Sequence, residues 1–210
     1  MLEARIDHLV LTAPTLAEGC AYLRALLGVE LEPGGRHPAM GTHNALLRLG
    51  ADAYLEVIAA DPEAPAPDRP RWFGLDHPDA RPRLASWVVR TGDLGAAPRD
   101  FGTRTAMTRG DLRWAITVPD DGSLPWDGVA PHLIHWFTEP HPAARLSDQG
   151  CSLGGREGRH PDPERVRDAL VAIGLREGFH LCPGEPPRLL ARLRTPRGLR
   201  TLDSLGERDG

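Results

Sequence analysis

Hydrophobic positions change their period several times along the chain. In "IDHLVLT" Ile6, His8 and Val10 alternate with Asp7, Leu9 and Leu11, the two-residue period of a strand. Leu16, Cys20, Leu23 and Leu27 then fall on one helical face, with Thr15 and Glu18 at capping-box spacing and Gly28 as the stop. Strand-like runs follow at 29–31, 44–49 and 54–59. The order recurs. "LASWVVRTGDLGAAPRDFG" at 84–102 reads as a β-rich run, an Asp93 cap and a shortened helix, with runs at 104–107, 112–118 and 133–137 after it. "LGGREGRHPDPERVRDALVAIGL" at 153–175 predicts a third strand and helix. There Asp162 caps, Pro163 takes the first turn, Val166, Ala169, Leu170 and Ile173 form the stripe, and Gly174 ends it. Runs at 179–181, 189–194 and 199–202 complete that unit. The pattern is βαβββ three times, divided by Pro-rich stretches at 61–71 and 138–150. Units at 1–61, 82–139 and 150–204 follow, with 205–210 as a flexible tail.

One strand breaks its own pattern. "AYLEVIA" is apolar apart from Glu56, which shares a face with Tyr54 and Ile58. A buried carboxylate needs a cation, a hydrogen bond or a wet pocket. Arg48 on the neighbouring run is one candidate partner. Two other runs place a polar residue between apolar neighbours of its own face: His8 between Ile6 and Val10, and His135 between Leu133 and Phe137. A cavity lined by these three faces is the other explanation.

Composition excludes more than it selects. Ordinary hydrophobic (40%) and charged (26%) contents describe a water-soluble globular chain. A net charge of −4 gives no footprint for nucleic acid or an anionic membrane. Every basic residue is Arg, so Schiff-base and phosphate-loop lysines are absent. Cys20, Cys151 and Cys182 make no CxxC pair. The N-terminus lacks the features of a signal peptide, and no apolar run reaches the roughly 18 residues of a membrane span, so a cytoplasmic location is expected. GxSxG, HExxH and a dinucleotide fingerprint are missing, and no nucleotide cofactor is expected.

The βαβββ unit in tandem, opening on "IDHLVLTAP", passing through "GTHNALLRLG" and closing on "AYLEVIA", resembles the vicinal oxygen chelate superfamily. More narrowly, it resembles the glyoxalase-like domain proteins, relatives of glyoxalases, bleomycin-resistance proteins and extradiol dioxygenases. The resemblance covers roughly residues 4 to 139. It implies an α+β fold in which tandem βαβββ modules form a curved mixed-sheet cup with helices outside, carrying the third βαβββ-like unit at the C-terminus. In that superfamily metal ligands come from the first and fourth strands of each module. Carried over residue by residue, those positions are His8 and Glu56 in the first module and Ser86 and His135 in the second. His8, Glu56 and His135 are then the expected ligands of a divalent metal (Zn, Ni, Mn or Fe), while Ser86 departs from the pattern.

The implied function is action on a small carbonyl or enediol-type molecule by lyase or isomerase chemistry, with Glu56 as ligand or general base. The alternative is a metal-free protein that binds or sequesters a small molecule, as bleomycin-resistance relatives do. Pocket walls are expected from His43, Asn44, Tyr54, Trp72 and Ser86, with His37 and Phe73 nearby. His43 and Asn44 are read either as ligand contacts or as fixing the turn. Trp136, alternating with His135, is expected to point away from the cup into the layer beneath the sheet. Trp114 is left open between cup and core. Members of the superfamily pair modules within one chain or between two, so a homodimer is a candidate assembly.

Overall fold

The computed structural model describes residues 4–76 and 81–206; a prediction for 207–210 lies outside them. The first module is β1 (Arg5–Thr12), α1 (Leu16–Leu27), β2 (Glu32–His37), β3 (Thr42–Arg48) and β4 (Tyr54–Ala60). Thr15 caps α1 by accepting the Glu18 N–H, and Gly28 ends it in the left-handed conformation. Gly19 lets the helix lie close against the sheet: a Cβ there would stand 2.4 Å from Val57. The second module is β5 (Arg83–Arg90), β6 (Thr103–Arg109), β7 (Leu112–Val118) and β8 (His132–Trp136). Eight strands form one curved sheet in the order β2-β3-β4-β1-β5-β8-β7-β6. The modules meet within this one chain through the antiparallel pair β1–β5. Each module closes by a parallel pairing of its first and last strands, β1 with β4 and β5 with β8. This is the α+β cup that the resemblance implied.

The second module has no α-helix among the described residues. Gly92, Gly95 and Pro98 break the stretch, and only a 3₁₀ turn at Arg99–Phe101 remains. Its convex face carries Trp87, Val89, Ala115 and Leu133, which still must be covered. The C-terminal unit covers them. It is β9 (Ser152–His160), α2 (Pro163–Ala172), β10 (His180–Pro183), β11 (Arg188–Thr195) and β12 (Gly198–Asp203). Leu189, Ala191, Leu193 and Leu202 join Trp87 and Val89 in one core, and Phe179 stacks on Trp87 at 4.7 Å. The C-terminal sheet thus takes the place that a helix holds in the first module.

That unit has the predicted order of elements, but its wiring differs from the first two. Its order is β10-β9-β11-β12, with the first strand parallel to the second and antiparallel to the third. It is a separate four-stranded sheet and does not repeat the module. It also braces the first module: Arg200 donates to the Leu26 carbonyl at 3.2 Å, and Arg197 donates to that of Ala25, both at the carbonyl end of α1. Residues 205 and 206 close a turn on Asp203.

The strand expected at 29–31 lies instead at Glu32–His37. Its sequence, EPGGRH, has poor strand propensity, and it forms an edge with a register shift between Pro33 and Arg36. Among the described residues no helix is long and apolar enough to cross a membrane.

Because Leu202 is fully buried between the two sheets, Leu202→Ala is expected to cost about 2–5 kcal/mol. Urea unfolding should show one transition at lower urea. Two separated transitions would mean that the C-terminal sheet is not part of the same cooperative core.

Candidate active site in the cup

Strand alternation decides which side chains reach the concave face. His8 and Val10 on β1 face it, as do Asn44 on β3 and Tyr54, Glu56 and Ile58 on β4. Val88, Met107, Trp114, Ile116 and Ile134 face it from the second module. The inter-module stretch turns back over the cup and inserts Trp72 and Phe73, stacked at 5.2 Å. Phe73 is held there with φ of 58°, an uncommon conformation for a bulky residue. Much of the cup is therefore filled as a second apolar core. What remains is a narrow cavity, about 330 Å³ free of protein atoms with its opening included.

Its polar end is a continuous chain of side chains. The backbone of β1 slips register against β5 between Ile6 and His8, which makes Asp7 a bulge residue. Asp7 is wholly buried and binds beside His8: His8 Nδ1 donates to Asp7 Oδ1 at 2.7 Å. Trp136 Nε1 at 3.0 Å and His141 Nε2 at 2.9 Å donate to Asp7 Oδ2. Burial alone raises the Asp7 carboxyl pKa, but the hydrogen bonds and charges of His141 and His8 outweigh it and hold it well below the usual range.

The other side of His8 faces Glu56, with Nε2 and Oε2 3.5 Å apart. The His8 ring stacks on Tyr54 at 4.5 Å. Burial pushes the Tyr54 hydroxyl well above its usual pKa, with the Asp7 and Glu56 charges adding to it. Asn44 donates its amide N–H to Glu56 Oε1. Asn44 Oδ1 accepts from the Gly35 N–H at 2.8 Å and from Arg109 Nη1 at 3.1 Å. The β2 bulge makes this possible, since a Cβ on Gly34 would stand 2.0 Å from Asn44 Oδ1. Arg109, at the end of β6, thus reaches across the cup mouth. It also donates to His37 Nε2 at 3.2 Å. Burial, then the Arg109 charge, pushes the His37 pKa down to about 3.

His8, Glu56, Asn44, Tyr54 and Trp72 are together at the cavity. His135 is not. It sits on the other face of β8 and donates from Nδ1 to the Thr91 carbonyl at 2.9 Å. Ile134 and Trp136 take the inward positions, so the expectation for Trp136 is reversed as well. β8 carries apolar residues at both alternations, and a one-residue slip exchanges its faces. Ser86 is buried on the side of Val88, and its Oγ donates to the Trp87 carbonyl at 3.3 Å. His43 lies on the face of β3 opposite Asn44 and outside the cavity lining. Arg48 donates to the carbonyls of Gly50 and Leu146 and does not pair with Glu56. Trp114 lines the cavity. Sequence alternation missed Asp7, Arg109 and His141. Asp7 was assigned to the opposite face, and Arg109 and His141 carry no motif.

The expected metal set does not fit this arrangement. A catalytic metal keeps three protein ligands. Here His8 and Glu56 supply two, Ser86 is spent on a backbone carbonyl and His135 faces outward. Among the described residues no group of three or more His, Cys, Asp or Glu is placed to hold a metal ion.

Two modules closed into one cup define a glyoxalase-type fold, and a buried carboxylate–imidazole–carboxylate row lies inside it. Residues 6–174 match the family described as Glyoxalase-like domain, and the chain belongs to it. Among solved structures, a hypothetical protein from Staphylococcus aureus superposes with a TM-score of 0.62 at 13% identity, over 89% of this chain and 88% of that one. That likeness shows the fold. Methylmalonyl-CoA epimerase from Mycobacterium tuberculosis matches at 21% identity and a TM-score of 0.42, over 66% of this chain and 91% of that one. A mutant of 4-hydroxymandelate synthase from Streptomyces coelicolor matches at 18% and 0.49, over 97% and 63%. A search of curated proteins finds no match.

His37 and His132 give the fold a pH signature. Burial pushes His132 down to about 4, and His37 lies at about 3. Both stay neutral when folded, while the unfolded histidines take up protons near pH 6.5. Stability from this source is complete above 6.5 and falls as pH drops through 6.5 toward 4. The thermal midpoint should decline over that window, less steeply in His132→Gln. An equal slope in that variant would remove His132 from the explanation.

Proposed function

We propose that the cup catalyses proton transfer at carbon next to a carbonyl in a small molecule, with Glu56 as base and no metal in the step. The observation that carries this reading is the row Asp7–His8–Glu56. Asp7 accepts a hydrogen bond from the Nδ1–H of His8, which leaves Nε2 turned to Glu56 as the atom that can hold a second proton. Glu56 is nearly buried at the cavity wall, and Asn44 binds its Oε1, which leaves Oε2 as the oxygen to take a proton. In the forward step Glu56 takes the proton and the C–H electron pair passes into the carbonyl, giving an enolate. His8 can relieve Glu56 of that proton, and its return to the opposite face of the same carbon, as the enolate collapses to the carbonyl, completes an isomerisation. The aromatic walls and the inserted Trp72 and Phe73 exclude water from the enolate.

The test is hydrogen–deuterium exchange at carbon, followed by NMR in D₂O with EDTA present. Pyruvate and dihydroxyacetone serve as probes. Exchange is expected above the buffer rate, and Glu56→Gln should lower it by roughly 10²–10⁴-fold, the usual worth of a general base. Exchange that collapses in EDTA and returns with zinc or manganese would overturn the metal-free step. No exchange with either probe, together with tight binding of an aromatic compound, would favour the sequestration alternative.

A further inference from the structure

We propose that the cup takes a small carboxylate, gripped by Arg109 and by the indole N–H of Trp72, with the adjoining carbon presented to Glu56. The position of that carbon rests on the proton-transfer reading; the grip on the carboxylate does not.

Two observations point to the anion independently. Arg109 is half-buried at the mouth, and its polar contacts are Asn44 Oδ1 at 3.1 Å and His37 Nε2 at 3.2 Å. Both acceptors are uncharged, since His37 is kept neutral. Among the described residues no carboxylate pairs with Arg109, although Glu56 is only one amide away. A guanidinium partly removed from water and left without a counter-charge is under-compensated. The Trp114 ring, 6.0 Å from its carbon, offsets this only weakly. The second observation is Trp72, 3% exposed and part of the same wall, whose Nε1 has no hydrogen-bond partner. An indole nitrogen can only donate, so it needs an acceptor that the protein does not supply. A cation and an unspent donor at one cavity call for a ligand with anionic oxygens.

Asn44 sets the spacing. Its Nδ2 is on Glu56 and its Oδ1 is on Arg109, so the amide separates the site's anion from its cation. A ligand carboxylate at Arg109 is thereby kept off the Glu56 carboxylate, while the carbon bonded to it falls toward Glu56. The cavity limits the occupant to a few heavy atoms.

The experiment is calorimetric titration of the full chain with pyruvate, oxalate and uncharged pyruvamide. The carboxylates are expected to bind, with pyruvamide at least about tenfold weaker, the worth of a charge-assisted hydrogen bond. Arg109→Gln should abolish carboxylate binding. Trp72→Phe keeps an aromatic side chain but removes the N–H and should weaken it about tenfold, with thermal midpoints recorded for both variants. Glu56→Gln should bind carboxylate undiminished, so loss of exchange in that variant with binding retained separates the two readings. Equal affinity for pyruvate and pyruvamide, a comparison that needs no variant, would overturn the proposal. So would wild-type affinity in Trp72→Phe, or no carboxylate binding at millimolar concentration.

Discussion

The Asp7 carboxylate is out of contact with water, and three ring N–H groups from two parts of the chain converge on it. His8 comes from the same strand, Trp136 from the last strand of the second module and His141 from the segment after it. A buried anion is tolerable only when its lone pairs are met by donors, and these three meet them. In doing so they fix the His8 tautomer, tie β1 to the far end of the second module and hold Trp136 against the cavity. The order at the polar end of the cup depends on this one group.

The rest of the site follows a similar logic of neighbours spending one another's hydrogen-bonding atoms. Asn44 uses its amide to hold Glu56 and Arg109 apart, and His37 gives the Arg109 guanidinium an uncharged acceptor. Two bulges, at Asp7 and at Gly34–Gly35, bring backbone and side chains into reach that regular strands would keep apart. Where the resemblance implied a set of metal ligands, the described residues bring together a buried row of Asp7, His8 and Glu56.

The C-terminal sheet answers a different demand. A helix-poor second module leaves the convex face of β5 bare, and a large aromatic such as Trp87 cannot stay exposed without costing stability. Leu189, Leu193 and Leu202 supply the missing cover, and Arg197 and Arg200 use the same sheet to satisfy the end of α1. This unit is therefore part of the core that keeps the cup in shape.

Much of this was legible in the chain. Period-two and helical spacing located nearly every element, because side-chain direction follows backbone period. An acid in an apolar strand marked Glu56, the alternation around it placed Tyr54 on the same face, and the resemblance joined His8 to them. The edge strand at Glu32–His37 was hidden because Pro and Gly give it no strand propensity. What the sequence could not determine was register. On a strand covered on both sides, apolar residues occupy both alternations, so nothing local says whether His135 or Ile134 faces the cup. A bulge shifts phase by one residue with no marker in composition, which is how Asp7 came to lie beside His8. Arg109 meets Asn44 across 65 residues of sequence, through curvature that only the closed sheet creates. Local pattern determined the elements and the marked acid; long-range pairing decided which atoms meet it.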